Sequence, residues 1–269
     1  MNAALERPLL PDIQSRADDR ALAIEAVGIR RLRHPVTIRT GRMGQATIAT
    51  FSMSVALPAP ARGTHMSRFV ELLEERREAL DARGFRALVR DMLGRLGAAS
   101  GTIEMRFPLF LAKRAPVSGS EGLVDYEACW RGTVAPGGRY GFAMNVAVPV
   151  TSLCPCSKEI SEYGAHNQRS VISIDAETDG AMEMEELIAI AERSASCEVY
   201  GLLKRADEKF VTERAFENPK FAEDLVRDAA LELNRDARVV RYTVEAENFE
   251  SIHNHSAYAR ITGPATAAA

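Results

Sequence analysis

Ala46-Thr47-Ile48-Ala49-Thr50-Phe51-Ser52-Met53-Ser54-Val55 alternates apolar with polar or small residues, the period-two pattern of a strand that is dry on one face and wet on the other. Further β-branched or alternating runs precede it at about 22–29 and 35–41. The period then changes. Phe69, Leu72, Leu73 and Leu80 share one helical face, and Phe85, Leu88, Val89, Met92, Leu93 and Leu96 recur at i, i+3 and i+4, with Gly84 and Gly97 as punctuation. Strand patterns return at about 102–112, 123–134 and 139–150, the last two separated by the turn Pro136-Gly137-Gly138.

The second half repeats this order. A strand near 168–176 and a turn at Asp179-Gly180 lead to a helix carrying Met184, Leu187, Ile188, Ala191 and Ala195, then a long connection from Ser196 to Asn218. Asn218 is the expected cap of the next helix and Pro219 its first residue, with Phe221, Ala222, Leu225, Val226, Ala229 and Leu233 on its apolar face. Strands at about 238–248 and 255–262 follow. Strand pairs flanking helix pairs give an α+β class, antiparallel sheets with the helices on one face, and not a doubly wound parallel fold. The expected organisation is a mobile leader over 1–20, modules over 21–152 and 153–262, and a frayed tail over 263–269.

Composition excludes several classes. Of 269 residues, 46% are hydrophobic and 26% charged, ordinary for a folded domain. A net charge of −3 gives no general drive toward nucleic acid or an anionic membrane. No apolar run approaches the roughly 18 to 20 residues that cross a bilayer, so the expected location is cytoplasmic. The four cysteines, Cys129, Cys154, Cys156 and Cys197, are too few for a disulfide scaffold and are expected to be reduced.

Cys154 and Cys156 open the functional argument. They lie in Thr151-Ser152-Leu153-Cys154-Pro155-Cys156-Ser157-Lys158-Glu159-Ile160, a strand end entering a polar loop that reaches His166-Asn167-Gln168-Arg169. A thiolate and a neutral imidazole suit zinc or another transition metal, and a catalytic site needs about three protein ligands with one position open. Cys154 and His166 can supply two; the alternative is a buried turn of small side chains. Near the C-terminus, Glu250-Ser251-Ile252-His253-Asn254-His255 gathers a carboxylate and two imidazoles, which on an extended chain share a face and can exchange protons. The long connection carries Lys204, Arg205, Asp207, Glu208 and Lys209, offering a carboxylate ligand and cations for phosphate. Glu223, in the first turns of its helix, either complements the helix dipole or pairs with two N–H donors of a guanine.

These segments, with Gly164-Ala165-His166-Asn167-Gln168-Arg169-Ser170, Asp12-Ile13-Gln14-Ser15, Gly63-Thr64-His65-Met66-Ser67-Arg68 and Leu202-Leu203-Lys204-Arg205, resemble GTP cyclohydrolase IB over nearly the whole chain. The resemblance implies tandem tunnelling-fold modules in a homotetramer with active sites at subunit interfaces. It implies conversion of GTP and water to 7,8-dihydroneopterin triphosphate and formate, the first step toward folate. It further implies one divalent metal per site (zinc, manganese or iron) held by Cys154, His166 and Glu208, with Asp207 adjacent as the competing third ligand. Glu223 then anchors guanine, and Cys156, Glu250, His253 and His255 serve as catalytic groups beside the metal. Two rival readings remain: another enzyme of this fold with Cys154 as a nucleophile, or a non-catalytic protein with a structural metal site.

Overall fold

A computed structural model describes residues 11–14, 16–41, 43–179 and 181–264. The alternating stretch is the middle of strand β2 (Met43–Leu57), in which Ala49, Phe51, Met53, Val55 and Leu57 are buried and the residues between them half-exposed. Its neighbour β1 (Ile24–Thr40) is one long strand where two were expected, because bulges between Ile24 and Val27 and between Ile29 and Leu32 interrupt the alternation without ending the pairing. Arg31 takes a left-handed φ of 60° within the second bulge.

Helices α1 (Ser67–Glu74) and α2 (Ala82–Leu96) follow. Leu80 was expected on the first helix; α1 stops at Glu74, and Leu80 instead bridges β1, donating to Thr37 O at 2.8 Å and accepting from Arg39 N at 2.7 Å. Asp81 caps α2 by accepting from Gly84 N at 2.7 Å, so Gly84 lies inside this helix, and Gly97 ends it at φ 61°, where a Cβ is disfavoured. Strands β3 (Gly101–Arg114), β4 (Glu121–Val134) and β5 (Tyr140–Leu153) come next, the last two joined through Gly137 and Gly138, both at positive φ.

A short helix α3 (Pro155–Ile160) separates β5 from β6 (Asn167–Thr178). After α4 (Met184–Ser194) come β7 (Cys197–Glu198), α5 (Arg205–Glu217), α6 (Ala222–Arg235), β8 (Val239–Asn248) and β9 (Ala257–Pro264). The connection expected to be irregular thus contains a helix, α5, which buries only Asp207 and Ala215 and has no apolar stripe to announce it. Asn218 does not cap α6. It ends α5 and donates from its side chain to Ala195 O (2.9 Å) and Ser196 O (3.3 Å), while Phe221 occupies the cap position and its N–H is taken by Asp224.

All named strands join one nine-stranded sheet in the order β1-β2-β3-β4-β5-β6-β8-β9, with β7 added beside β5, and every paired neighbour is antiparallel. Even-numbered residues of β4, β5, β6 and β8 face the helices and form one continuous core with them, from Trp130 and Phe142 to Ile172, Ile174 and Val244. The opposite face is polar, with Arg131 donating to both oxygens of Asp175 at 3.0 Å. Leaving out α3, α5 and β7, two strands, two helices and two strands occur twice; the boundary expected at 152/153 falls on the last residues of β5. Gly263 and Pro264 pair with Tyr242 and Arg241, and residues 265–269 lie outside the described ones. Of the expected leader, residues 1–10 and 15 lie outside the described ones, while Asp18 N donates to Pro60 O at 3.0 Å and Arg16 O accepts from Arg62 N at 3.2 Å.

Register decides where the loops fall. Leu153 pairs with Asn167, Ser170 with Asn248, Ala147 with Glu127 and Phe110 with Asp125, so the β3–β4, β5–β6 and β8–β9 turns all lie at one end of the sheet. The segment Gly63 to Arg68 leaves β2 at the other end, since Val55 pairs with the first residue of β3, Gly101.

Candidate active site

Two adjacent hairpin ends build the site. Cys154 N donates to His166 O at 3.1 Å, one rung beyond the last β5–β6 pair, so the thiol and the imidazole flank the mouth of a single loop. Pro155 starts α3, where its missing N–H costs nothing. Inside the loop Cys154 Sγ accepts from Ser157 N at 3.4 Å, and Ser157 Oγ donates to Cys154 O and accepts from His166 N. Cys154 and His166 are half-buried, whereas Cys156, on the first turn of α3, is exposed.

The β8–β9 hairpin is held against β6 by Ser170 opposite Asn248 and by Phe249 N donating to Arg169 O at 3.0 Å. It delivers Glu250, whose side chain is only 12% exposed. Glu250 Oε2 lies 3.9 Å from His166 Nδ1 and 3.6 Å from His253 Nδ1, too far to accept a good hydrogen bond from either. It is a buried oxygen with no hydrogen-bond partner. The His253 and His255 rings stack at 5.2 Å between centroids with 27° between planes, both toward solvent. Five expected site residues, Cys154, His166, Glu250, His253 and His255, are thereby linked in one chain of contacts.

Glu208 and Glu223 are placed differently. Each is exposed on the first turn of its helix, α5 and α6 respectively. Among the described residues no group of three His, Cys, Asp or Glu side chains is arranged to hold a metal, so the chain brings Cys154 and His166 together without Glu208. Asp207, the rival ligand, is fully engaged elsewhere: it is buried and accepts from Val117 N, Ser118 N and Lys204 N, each at 2.8 Å, and from Ser118 Oγ at 2.6 Å. Burial pushes this carboxyl up, but the Ser118 hydroxyl and the three N–H donors outweigh it and hold Asp207 well below the ordinary carboxylate range. Asp207 therefore ties α5 to the β3–β4 turn. Gly122 and Gly201 permit the close crossing of strand and connection there, since a Cβ on Gly201 would meet Leu123 O at 2.1 Å.

Sequence reading did not single out the polar row behind His166. Gln168 and Ser170 continue the inward stripe of Ile172 and Ile174, and with Ser152 of β5 all three are buried. Gln168 Nε2 donates to Ser152 Oγ at 2.6 Å, Ser170 Oγ donates to the same oxygen at 2.9 Å, and Gln168 Oε1 meets His166 Nδ1 at 2.9 Å. A neutral imidazole donating through Nδ1 keeps its Nε2 lone pair free. Thiolate and imidazole nitrogen are a fitting donor pair for a transition metal, and both lie at the open mouth of the loop.

The fold is similar to that of solved uricases. The chain superposes on uricase from Arthrobacter globiformis with a TM-score of 0.53 at 7% identity, over 89% of this chain and 93% of that one. A hyper-thermostable uricase mutant gives 0.51 at 8% identity, over 90% and 92%. At such identities the likeness is one of fold alone.

Residues 10–259 match the family described as type I GTP cyclohydrolase folE2. The chain is 58% identical over 253 residues to GTP cyclohydrolase FolE2 2 of Cupriavidus metallidurans, covering 94% of each protein. It is 59% identical over 253 residues to GTP cyclohydrolase FolE2 of Burkholderia pseudomallei (94% of this chain, 95% of that one) and 58% over 262 residues to that of Burkholderia thailandensis (97% of each). The chain belongs to the type I GTP cyclohydrolase FolE2 family. This corrects the family label expected from the motifs, GTP cyclohydrolase IB: short motifs report the chemistry of a site, and the match along the whole chain assigns the family.

Proposed function

We propose that the β5–β6 and β8–β9 hairpin ends are the catalytic half-site of this GTP cyclohydrolase. The chain is an enzyme, a hydrolase acting at the GTP cyclohydrolase I step of folate biosynthesis. The observation that carries the placement is Glu250 Oε2, a buried oxygen without a donor between two imidazoles. Buried acceptors of this kind are normally satisfied, so a water or a substrate N–H belongs there.

Opening the guanine imidazole ring requires water to attack C8 and a proton to reach the ring nitrogen as the C–N bond breaks. Glu250 is placed to orient that water or take its proton, and the stacked His253 and His255 are placed to deliver and recover protons at the open rim. Cys154 Sγ and His166 Nε2 would hold one divalent metal, zinc, manganese or iron, with Glu208 as the third ligand. When bound, such an ion supplies a water that ionises near neutral pH. With Asp207 engaged by four donors, Glu208 is the member of that adjacent pair left for the role. Cys156 stands beside the site, and Glu223 supplies the two-acceptor edge that matches a guanine.

Glu208 and Glu223 lie outside the cluster that one chain assembles, and Ile160, Tyr163 and Ile252 stand 77%, 97% and 64% exposed around it. These observations support a homotetramer of tandem modules with sites completed between subunits. A cytoplasmic location accords with the reduced cysteines, and no helix among the described residues is long and apolar enough to cross a membrane. Metal-stripped protein incubated with GTP, then reloaded with zinc, manganese or iron, tests the reading through formate release and the fluorescence of oxidised pterin. Activity only in reloaded samples is the expected outcome. Full activity without metal would sink the metal mechanism and favour the reading of Cys154 as a nucleophile, and no product with any of the three would favour a structural metal.

A further inference from the structure

We infer that Gln168 is a positioning residue that locks His166 in the Nδ1–H tautomer, so that Nε2 is presented as a metal ligand. The inference rests on the reading of His166 as a ligand. His166 Nδ1 lies 2.9 Å from Gln168 Oε1, nearer than Ser251 Oγ (3.5 Å) or Glu250 Oε2 (3.9 Å). An amide presents an acceptor at one end and a donor at the other, so its orientation decides which ring nitrogen keeps the proton. With Oε1 on the imidazole, the other end of the amide is satisfied as well. Gln168 Nε2 donates to Ser152 Oγ at 2.6 Å, and Ser170 Oγ donates to the same oxygen at 2.9 Å.

Burial makes the arrangement stiff. Gln168 is 6% exposed and Ser152 and Ser170 are fully buried, so no bulk water competes for these groups. Ser152 pairs with Gln168 across β5 and β6, and Ser170 lies two residues along the same face, so backbone register and not side-chain rotation fixes the row. A Gln at this position spends its only acceptor on the imidazole.

The test uses full-length protein labelled with 15N-histidine, of which the chain has five, with His166→Gln assigning one ring. At about pH 8.5, roughly two units above the ordinary imidazole value, 15N shifts of the metal-free protein report the tautomer. The wild type is expected to show Nδ1–H at His166. Gln168→Met, similar in size but without an acceptor, is expected to lose that signature and to bind zinc about 10- to 100-fold more weakly in chelator competition. Gln168→Glu retains an acceptor and is expected to keep both signature and affinity, which separates positioning from a fold defect. An Nε2–H ring in the wild type, as a reversed amide would impose, overturns the inference, as does an unchanged Nδ1–H ring in Gln168→Met. Loss of the signature with zinc affinity unchanged in both Gln168→Met and His166→Ala would instead overturn the assignment of His166 as a ligand.

Discussion

Replacing Glu250 by Gln separates what this residue does for the reaction from what it does for the fold, because the two effects are expected to have opposite signs. The side chain is 12% exposed and its Oε2 accepts no hydrogen bond within the protein. A carboxylate buried without a donor from the protein is a cost to folding, since the solvation it gives up is replaced at most by a bound water. Gln has nearly the same shape and no charge. Taking the penalty of an unsatisfied buried polar group at its low end, about 1 kcal/mol, the variant should be as stable as the wild type or more so, with a melting temperature up to about 2–4 °C higher. Loss of a positioned general base costs about 100- to 10,000-fold in rate, or ~3 to 5 kcal/mol of barrier. Formate release under saturating GTP gives kcat, and calorimetry of the metal-free protein gives the melting temperature. A variant that loses activity and also melts several degrees lower would refute the reasoning, because Glu250 would then be part of the scaffold. So would a variant within about threefold of wild-type kcat.

Three further outcomes are expected. Burial pushes the Cys129 and Cys197 thiols up to about 11, so thiol reagents at pH 8 should label exposed Cys156 in the native protein and spare those two until it unfolds, as peptide mass mapping would show. Asp207 is held low by its donors, so its contribution is complete above the unfolded value near 4 and is lost only as pH falls from there through its much lower folded value; the gap between urea melts of wild type and Asp207→Asn should be largest at pH 7 and narrower at about pH 3, and an equal gap at both would be contrary. Cys154→Ala should lose turnover and bound metal together, whereas Glu223→Ala should raise KM for GTP with metal content unchanged by elemental analysis; the reverse pattern would exchange the two roles.

The fold was legible where burial on one face writes a period into the chain. β2 announces itself through Ala49, Phe51, Met53 and Val55, and α2 through Phe85, Leu88, Val89 and Met92, because each element packs one face against the same core. Where an element has no such face, nothing was written. α5 buries only Asp207 and Ala215, so its polar sequence reads as a loop, and its helical state rests on Asp207 capping its first turn and on Asn218 anchoring its end to Ala195 and Ser196 between α4 and β7. Bulges hide structure in the opposite way. β1 shifts register twice, so a continuous seventeen-residue strand reads as two.

The reactive half of the site was legible because its residues are chemically conspicuous and close in sequence, while the half that orients them was not. Cys154, His166, Glu250, His253 and His255 stand out by type alone. Gln168, Ser152 and Ser170 are ordinary polar residues, and what makes them consequential is that β6 continues inward past Ile174 and Ile172, so that Ser170 and Gln168 fall on the buried side opposite β5. A signal for them did exist: an apolar alternation that keeps its period but changes to polar residues as it approaches a suspected site. Burying polar side chains is costly unless every hydrogen bond is met, so a strand is expected to end its dry stripe in Gln and Ser only where something at its tip needs to be held. Asp207 and Glu208 make the same point from the other direction. They are neighbours of the same chemical type, and the choice between them turns on four donors supplied by residues 117, 118 and 204, three of them about ninety residues away in sequence and brought near only by the folded sheet.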